Sequence, residues 1–124
     1  MTQDGWIPVD PHTLATAFPG VYAVGDVTSV GTPKAGTFAE GAALVVANQL
    51  IARVRGDAEP PGFAGTGACW IEFGDEQVGR VDVDFFSTPG SPIGTFVPPS
   101  AEVAAEKALF AGTRRARWFG TRES

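Results

Sequence analysis

Residues that hold metals or form redox disulfides are scarce in this sequence, which has one cysteine and one histidine. The single cysteine, Cys69, excludes an internal disulfide and any CxxC zinc or redox motif. The single histidine, His12, argues against a His-rich metal site and against a Ser-His-Asp triad within the chain. We expect His12 to lie in a loop. The commonest metal and hydrolase chemistries are therefore poorly supported.

Basic residues and long apolar runs are also in short supply. The formal net charge is −5, whereas nucleic-acid modules present a basic surface to phosphates. The sequence shows no signal peptide and no apolar stretch of transmembrane length. We therefore expect a cytoplasmic protein that does not bind nucleic acid, with a core drawn from its 44% hydrophobic residues.

The first half of the chain predicts a loop, a strand and a long helix. Residues 1–20 are rich in turn formers, so we expect a lead-in loop with one short strand at 6–9. The apolar run 21–24 follows Pro-Gly and is typical of a buried strand in a parallel sheet. Residues 37–55 predict a helix that is apolar on several sides and that Gly56 ends.

The second half predicts a linker followed by an antiparallel hairpin. Residues 57–67 have the composition of a linker. Beyond them, apolar residues alternate with charged ones on both sides of the turn sequence GDEQ, a pattern that favours a hairpin. We expect one dry face and one charged face. The dry face would carry Cys69, Ile71, Phe73, Val81, Val83 and Phe85.

A loop and a helix complete the predicted order. Residues 87–99 contain many prolines and glycines and predict a loop. Ser100 is typical of an N-cap, and the helix that follows is predicted to span 101–111 and to end at Gly112. The last stretch mixes basic and aromatic residues, namely Arg114, Arg115, Arg117, Trp118 and Phe119.

The stretch that ends in Gly25-Asp26 carries the clearest chemical signal. Ligands of open α/β sheets bind where strands end, and a glycine there lets the backbone approach them closely. The string from Thr16 through Pro19-Gly20 to VYAVGD resembles the second flavin-binding motif of flavoproteins with two dinucleotide-binding domains. That resemblance implies that Asp26 binds the ribitol chain of FAD. Otherwise Asp26 caps a turn after a strand.

The next segment, TPKAGTFAEGAALVVANQL, resembles the helix that follows this motif. In that family the helix begins at the pyrimidine edge of the isoalloxazine, where reduced flavin carries negative charge that a helix N-terminus stabilises. The resemblance implies that Ala35, Gly36 and Thr37 supply backbone groups and that Lys34 supplies a positive charge. The alternative for Lys34 is a solvated loop lysine.

The rest of the chain resembles the C-terminal part of sulfide:quinone oxidoreductases and related FAD-dependent pyridine nucleotide-disulfide oxidoreductases. The likeness covers nearly the whole chain but only the last third of such an enzyme, because the N-terminal GxGxxG turn is absent. It implies that the parent enzyme has an α/β fold and that this fragment of it, taken alone, has an α+β fold. Residues 1–56 would close an FAD-binding Rossmann-like domain and 68–124 would form a hairpin-and-helix domain.

Cys69 and the basic, aromatic tail each have two possible interpretations. In sulfide:quinone oxidoreductases a cysteine on a similar strand carries sulfur to the flavin. The resemblance implies this role for Cys69. The alternative is that Cys69 is a small buried hydrophobic residue. The basic and aromatic tail implies peripheral contact with the inner face of a membrane. Its alternative is a basic strip that pairs with Asp82 and Asp84.

These observations predict part of a flavin-dependent oxidoreductase of the sulfide:quinone or NADH dehydrogenase type. The parent would pass electrons from a sulfur compound or NAD(P)H through FAD to a quinone or other acceptor. The chain alone would hold a partial FAD site, would not retain FAD, and would need the N-terminal portion of the parent as its partner. The alternative is a non-catalytic module that self-associates or binds a partner through the apolar helix 37–55.

Overall fold

Two helices and a three-stranded antiparallel sheet make up the regular structure, so the fold class is α+β. The computed structural model describes residues 4–120. The chain divides into two units, the first formed by residues 4–68 and 83–94 and the second by 69–82 and 95–120. The elements are α1 (Gly36–Arg55), β1 (Thr66–Gly74), β2 (Gln77–Asp84), β3 (Ile93–Ser100) and α2 (Ala101–Phe119), with the strands in the order β1-β2-β3.

The region before α1 consists of turns joined by isolated bridges. Tyr22 forms an antiparallel bridge with Ala15, and Val21 is 50% exposed, so the prediction of a buried strand at 21–24 was wrong. The expected short strand at 6–9 is reduced to one parallel bridge between Ile7 and Thr28. A parallel strand is stable between neighbours that continue its hydrogen bonding, and these single bridges supply one residue pair each.

The long helix predicted at 37–55 is confirmed as α1. Gly56 ends it in the left-handed conformation, with φ 73°, and donates its N–H to the carbonyl of Ala52. This is the usual reason for glycine just past a helix. One face of α1 is buried through Phe38, Ala42, Gln49 and Ala52. The opposite face is exposed, so the expected burial on several sides is not met within residues 4–120.

The core of the first unit gathers apolar side chains from distant parts of the chain. Phe85 and Phe86 pack against it after β2, and Phe86 meets Phe63 edge-on with ring centroids 5.9 Å apart. The buried members are Leu14, Val30, Phe38, Ala42 and Phe63. Phe63 lies within the segment 57–67, whose composition indicates a linker. Its backbone N–H donates to the carbonyl of His12 at 2.8 Å, so this segment is packed against the core.

The predicted hairpin is confirmed as β1 and β2. Asp75 and Glu76 both have positive φ, 47° and 58°, as a two-residue type I′ turn requires. The prediction of a loop over 87–99 was wrong, because β3 begins at Ile93. Prolines 98 and 99 made this segment resemble a loop, but β3 is an edge strand, where a residue without an N–H is tolerated.

The dry face predicted for the hairpin is wrong in β1, whereas Val83 and Phe85 pack against the core of the first unit as predicted. The indole of Trp70 packs against Phe110 of α2, with ring centroids 4.5 Å apart. Lys107 of α2 binds Glu72 on the same side of β1. Ile71 and Phe73, expected to be dry, are 42% and 57% exposed. Alternation shows that two faces differ, whereas the position of α2 decides which one is covered.

Helix α2 begins as predicted and ends later than predicted. The Ser100 hydroxyl accepts a 3.2 Å hydrogen bond from the N–H of Val103, which confirms the N-cap. The helix continues through Gly112 to Phe119, where Gly120 follows as C-cap. A glycine inside a helix costs about 1 kcal/mol relative to alanine, too little to end a helix of this length. Neither helix within residues 4–120 is long and apolar enough to cross a membrane.

Candidate functional site

The turn at Gly25-Asp26 lies against the start of α1. Gly25 has φ +81°, and a Cβ built on it would lie 3.5 Å from the Cβ of Ala39 in α1. Its carbonyl accepts hydrogen bonds from both the N–H (3.1 Å) and the hydroxyl (2.8 Å) of Thr28, which fixes the turn. The side chain of Asp26 is exposed. The structure thus brings the predicted ribitol carboxylate close to the helix that the sequence placed after it.

The N-terminus of α1 is open to an anion. Ala35, the N-cap residue, is extended, with φ −141° and ψ 148°, and no side chain within the described residues caps the helix. The first turn contains no acidic residue. The positive end of the helix dipole and the first N–H groups are therefore not neutralised by a neighbouring carboxylate of the first turn. Gly36 is exposed, with nothing within 4 Å of its Cβ position.

Lys34 is exposed in the loop before this helix start, and its ammonium group has two contacts there. Its Nζ donates to the carbonyl of Thr28 and lies 4.3 Å from the ring centroid of Trp6. A cation over an indole face is stabilised by the ring quadrupole. Sequence reasoning missed Trp6, because nothing local couples an aromatic residue near the N-terminus to a lysine before α1.

The side chain of Thr37 has a structural role. Its hydroxyl donates to the carbonyl of Ala68 at 2.9 Å, so contact between Thr37 and a ligand would have to come from its backbone. Within the first unit, therefore, the predicted site consists of one exposed carboxylate, one fixed ammonium and the N–H groups of a helix start. Such a set can accept hydrogen bonds from hydroxyls and stabilise a nearby anion.

The space between these groups is small in the described chain. Gly25, Asp26 and Lys34 line a cavity of about 10 Å³, the room of a single water molecule. A larger open cavity of about 480 Å³ is lined by Lys34, Trp6 and Thr28 among others. The described residues alone do not enclose a volume that would hold a fused three-ring system beside Asp26.

Cys69 lies on β1, in the second unit, as a free and exposed thiol. The alternative of a small buried hydrophobe is therefore wrong. Its role in sulfur transfer stays a prediction. Within residues 4–120 no group of three or more His, Cys, Asp or Glu side chains is arranged to hold a metal ion.

The two acidic residues of β2, Asp82 and Asp84, have hydrogen-bond or ion-pair partners close by in the chain. Asp82 binds the guanidinium of Arg80. Asp84 accepts hydrogen bonds from the hydroxyl of Ser87 (2.5 Å) and from its N–H (2.9 Å). These bonds, that of the hydroxyl first, hold the pKa of Asp84 below its usual value. The predicted pairing partners of the basic tail thus already have partners nearby.

The aromatic end of the tail is exposed. Trp118 is 58% and Phe119 81% exposed at the C-terminal end of α2. Arg114, one turn earlier, stacks its guanidinium over the ring of Phe110 at 3.5 Å. Arg115 and Arg117 are also exposed. Large apolar rings beside guanidinium groups are typical of contact with a lipid headgroup layer.

No protein-family model matches the chain, and neither does any curated protein.

Proposed function

We propose that the chain is part of an FAD-dependent oxidoreductase and supplies the ribitol and pyrimidine side of its flavin site. The parent enzyme would pass electrons from a sulfur compound or NAD(P)H through FAD to a quinone or another acceptor. The observation that carries the proposal is the closeness of the Gly25-Asp26 turn to α1, where a Cβ built on Gly25 would lie 3.5 Å from the Cβ of Ala39. This turn lies beside a helix start without an acidic residue.

Each group has a definite task in this proposal. Asp26 accepts hydrogen bonds from the ribitol hydroxyls. The N–H groups of Gly36 and Thr37 face the pyrimidine edge, where reduction places negative charge, and the helix dipole stabilises that charge. Lys34, held by Thr28 and Trp6, adds a positive charge whose position is already fixed. FAD itself supplies the electron transfer when bound.

The proposal also explains why the chain alone should be inactive. Binding energy for an extended cofactor comes from many contacts along its length, and the groups described above reach one part of it. The adenosine and pyrophosphate would be bound by the N-terminal portion of the parent. We therefore expect the chain to bind flavins in the millimolar range and to distinguish little between FMN and FAD.

The test is an NMR titration of the full chain with FMN and, separately, with FAD. We expect saturable shifts of the backbone amides of Asp26, Gly36 and Thr37. Asp26→Asn should weaken FMN binding about tenfold, the value of one charge-assisted hydrogen bond. Asp75→Asn removes the same charge in the hairpin turn and serves as the control. Shifts that avoid these amides, or equal affinities of the two variants, would contradict the proposal.

A second candidate function is that of a self-associating module, and the outward face of α1 favours it. Leu44, Leu50, Ile51 and Val54 are 55%, 41%, 47% and 87% exposed. The pairs 51/54, 50/54 and 44/51 are three, four and seven residues apart, so these side chains lie on one broad stripe of the helix, opposite the face that meets the core. Apolar stripes of this kind usually mark a protein interface.

Sedimentation equilibrium tests this second candidate. We expect association of the wild-type chain and a shift to monomer in Ile51→Glu, because a charge in the stripe would be desolvated on pairing. Leu109→Glu makes the same change at an exposed position of α2, 67% accessible, and should leave association unchanged. A wild-type chain that remains monomeric at high concentration would exclude self-association.

A further inference from the structure

A cavity separate from the predicted flavin groups lies at the C-terminal end of α1. It has a volume of about 210 Å³ and is lined by side chains of both charges, namely Tyr22, Gln49, Arg53, Asp57 and Glu59. All of these residues belong to the first unit. Cavities that take drug-sized ligands measure roughly 300–1,000 Å³, so this one suits a smaller molecule.

Gln49 gives the cavity an unsatisfied polar group. The residue is only 8% exposed, although it lies on a helix whose other face is open. Its Nε2 is buried and has no hydrogen-bond partner within the described part of the chain. A buried donor without an acceptor destabilises the fold. A ligand that brought an acceptor to Gln49 would recover that free energy.

The charged residues that line the cavity are also unpaired. The ion pairs found in residues 4–120 involve Arg80 and Lys107. Arg53, Asp57 and Glu59 have no hydrogen bond or ion pair through their side chains in that range. Neighbouring charges of opposite sign that do not bind each other remain available to a third group.

The positions of these residues separate the two charges. Gln49 and Arg53 are four residues apart and therefore lie above one another on the same face of α1, where they form a wall of donors. Asp57 and Glu59 follow the end of the helix. Their two carboxylates favour a cation at that wall.

We propose that this cavity binds a small zwitterion of the amino-acid type, with its carboxylate at Arg53 and Gln49 and its ammonium group at Asp57 and Glu59. A simple anion would meet the two carboxylates, and a simple cation would meet the guanidinium. A molecule with both charges gains at both walls. Arg53 presents a planar fork of donors that matches a carboxylate.

The test is an NMR titration of the full chain with glycine, 4-aminobutanoate and 6-aminohexanoate, which carry both charges at increasing separation. We expect the side-chain amide of Gln49 to shift and to saturate with at least one of them. Butanoate and butylammonium carry a single charge each. Their affinity should be lower by about tenfold or more, since each loses one charge-assisted contact. If all probes produced linear, unsaturated shifts, the proposal would be overturned.

Variants locate the binding. Arg53→Met and Glu59→Gln should each weaken the best probe about tenfold, whereas Arg53→Lys should retain part of the affinity because it keeps the charge. Arg55→Met is the matched control, since Arg55 lies in the same last turn but does not line the cavity. All these residues except Gln49 are at the surface, so the variants should fold. Unchanged affinity in Arg53→Met would contradict the proposed site.

Discussion

The hydroxyl of Thr37 donates a 2.9 Å hydrogen bond to the carbonyl of Ala68, which is 31 residues further along the chain. It joins the first turn of α1 to β1 within the first unit. The residue that sequence reasoning placed at a flavin thus holds the helix start in position through its side chain, and only its backbone remains to meet a ligand.

Removing this hydroxyl should destabilise the fold. Thr37→Val keeps the shape of the side chain but leaves the carbonyl of Ala68 without this donor, so we expect the free energy of unfolding to fall by about 1 kcal/mol. Thr37→Ser retains the hydroxyl and should lose less. Urea unfolding followed by circular dichroism measures both. If the valine variant were as stable as the wild type, the hydrogen bond would make no net contribution to the free energy of unfolding.

Gly67 is required because β1 passes close to the core. A Cβ at this position would lie 2.7 Å from the ring of Phe38, and overpacking of this kind costs about 1–3 kcal/mol. We expect Gly67→Ala to lower the free energy of unfolding by that amount. Gly94→Ala in β3, where nothing lies within 4 Å, is the control. Equal stability of the two variants would count against this packing.

Gly112 should be replaceable with a gain in stability. It lies inside α2 with nothing within 4 Å of its Cβ position. We expect Gly112→Ala to raise the free energy of unfolding by about 0.5–1 kcal/mol, because alanine loses less backbone entropy in a helix. Gly120→Ala should do the opposite, since its φ is +73°. Thermal unfolding distinguishes the signs, and a destabilising Gly112→Ala would contradict a helix that continues through this residue.

Asp10 should make stability depend on pH at the acid end. Its carboxylate accepts hydrogen bonds from the N–H groups of Thr13 (2.7 Å) and His12 (3.0 Å) and from the Thr13 hydroxyl (3.0 Å). These bonds, that of the Thr13 N–H first, hold the pKa of Asp10 below its usual value. The stabilisation is therefore complete above the unfolded-state pKa, about 4, and is lost as pH falls through the folded-state value.

The corresponding measurement is urea unfolding at steps between neutral and strongly acidic pH. The free energy of unfolding should decline below about pH 4, and Asp10→Ala should show a shallower decline. Asp57→Ala, a carboxylate without a side-chain hydrogen bond in residues 4–120, is the control and should retain the wild-type slope. An unchanged slope in Asp10→Ala would mean that other carboxylates account for the acid dependence.

The end of α2 should bind anionic vesicles if the tail contacts a membrane. Trp118 and Phe119 would enter the interface while Arg115 and Arg117 meet the headgroups. We expect cosedimentation with vesicles rich in phosphatidylserine, loss of binding in Trp118→Ala/Phe119→Ala, and weaker binding at high salt. Phe96→Ala, an exposed aromatic of β3, is the control. Binding that survives the double substitution would place the contact elsewhere.

Local sequence determined the elements whose signals lie within a few residues. Helix α1 and its end at Gly56, the N-cap Ser100 and the two-residue hairpin turn all follow from capping and turn chemistry that acts over three or four positions. The resemblance also implied that Asp26 and the start of α1 meet the same flavin, which stays a prediction.

Only tertiary structure decided the features that depend on distant partners. Strand β3 forms despite Pro98 and Pro99 because β2 provides a neighbour on one side. Alternation in the hairpin could not show that α2 would cover the side of Trp70, and no local rule pairs Lys34 with Trp6. Propensities act on single residues and short windows, whereas coverage, cation–π contact and strand pairing depend on which surfaces meet.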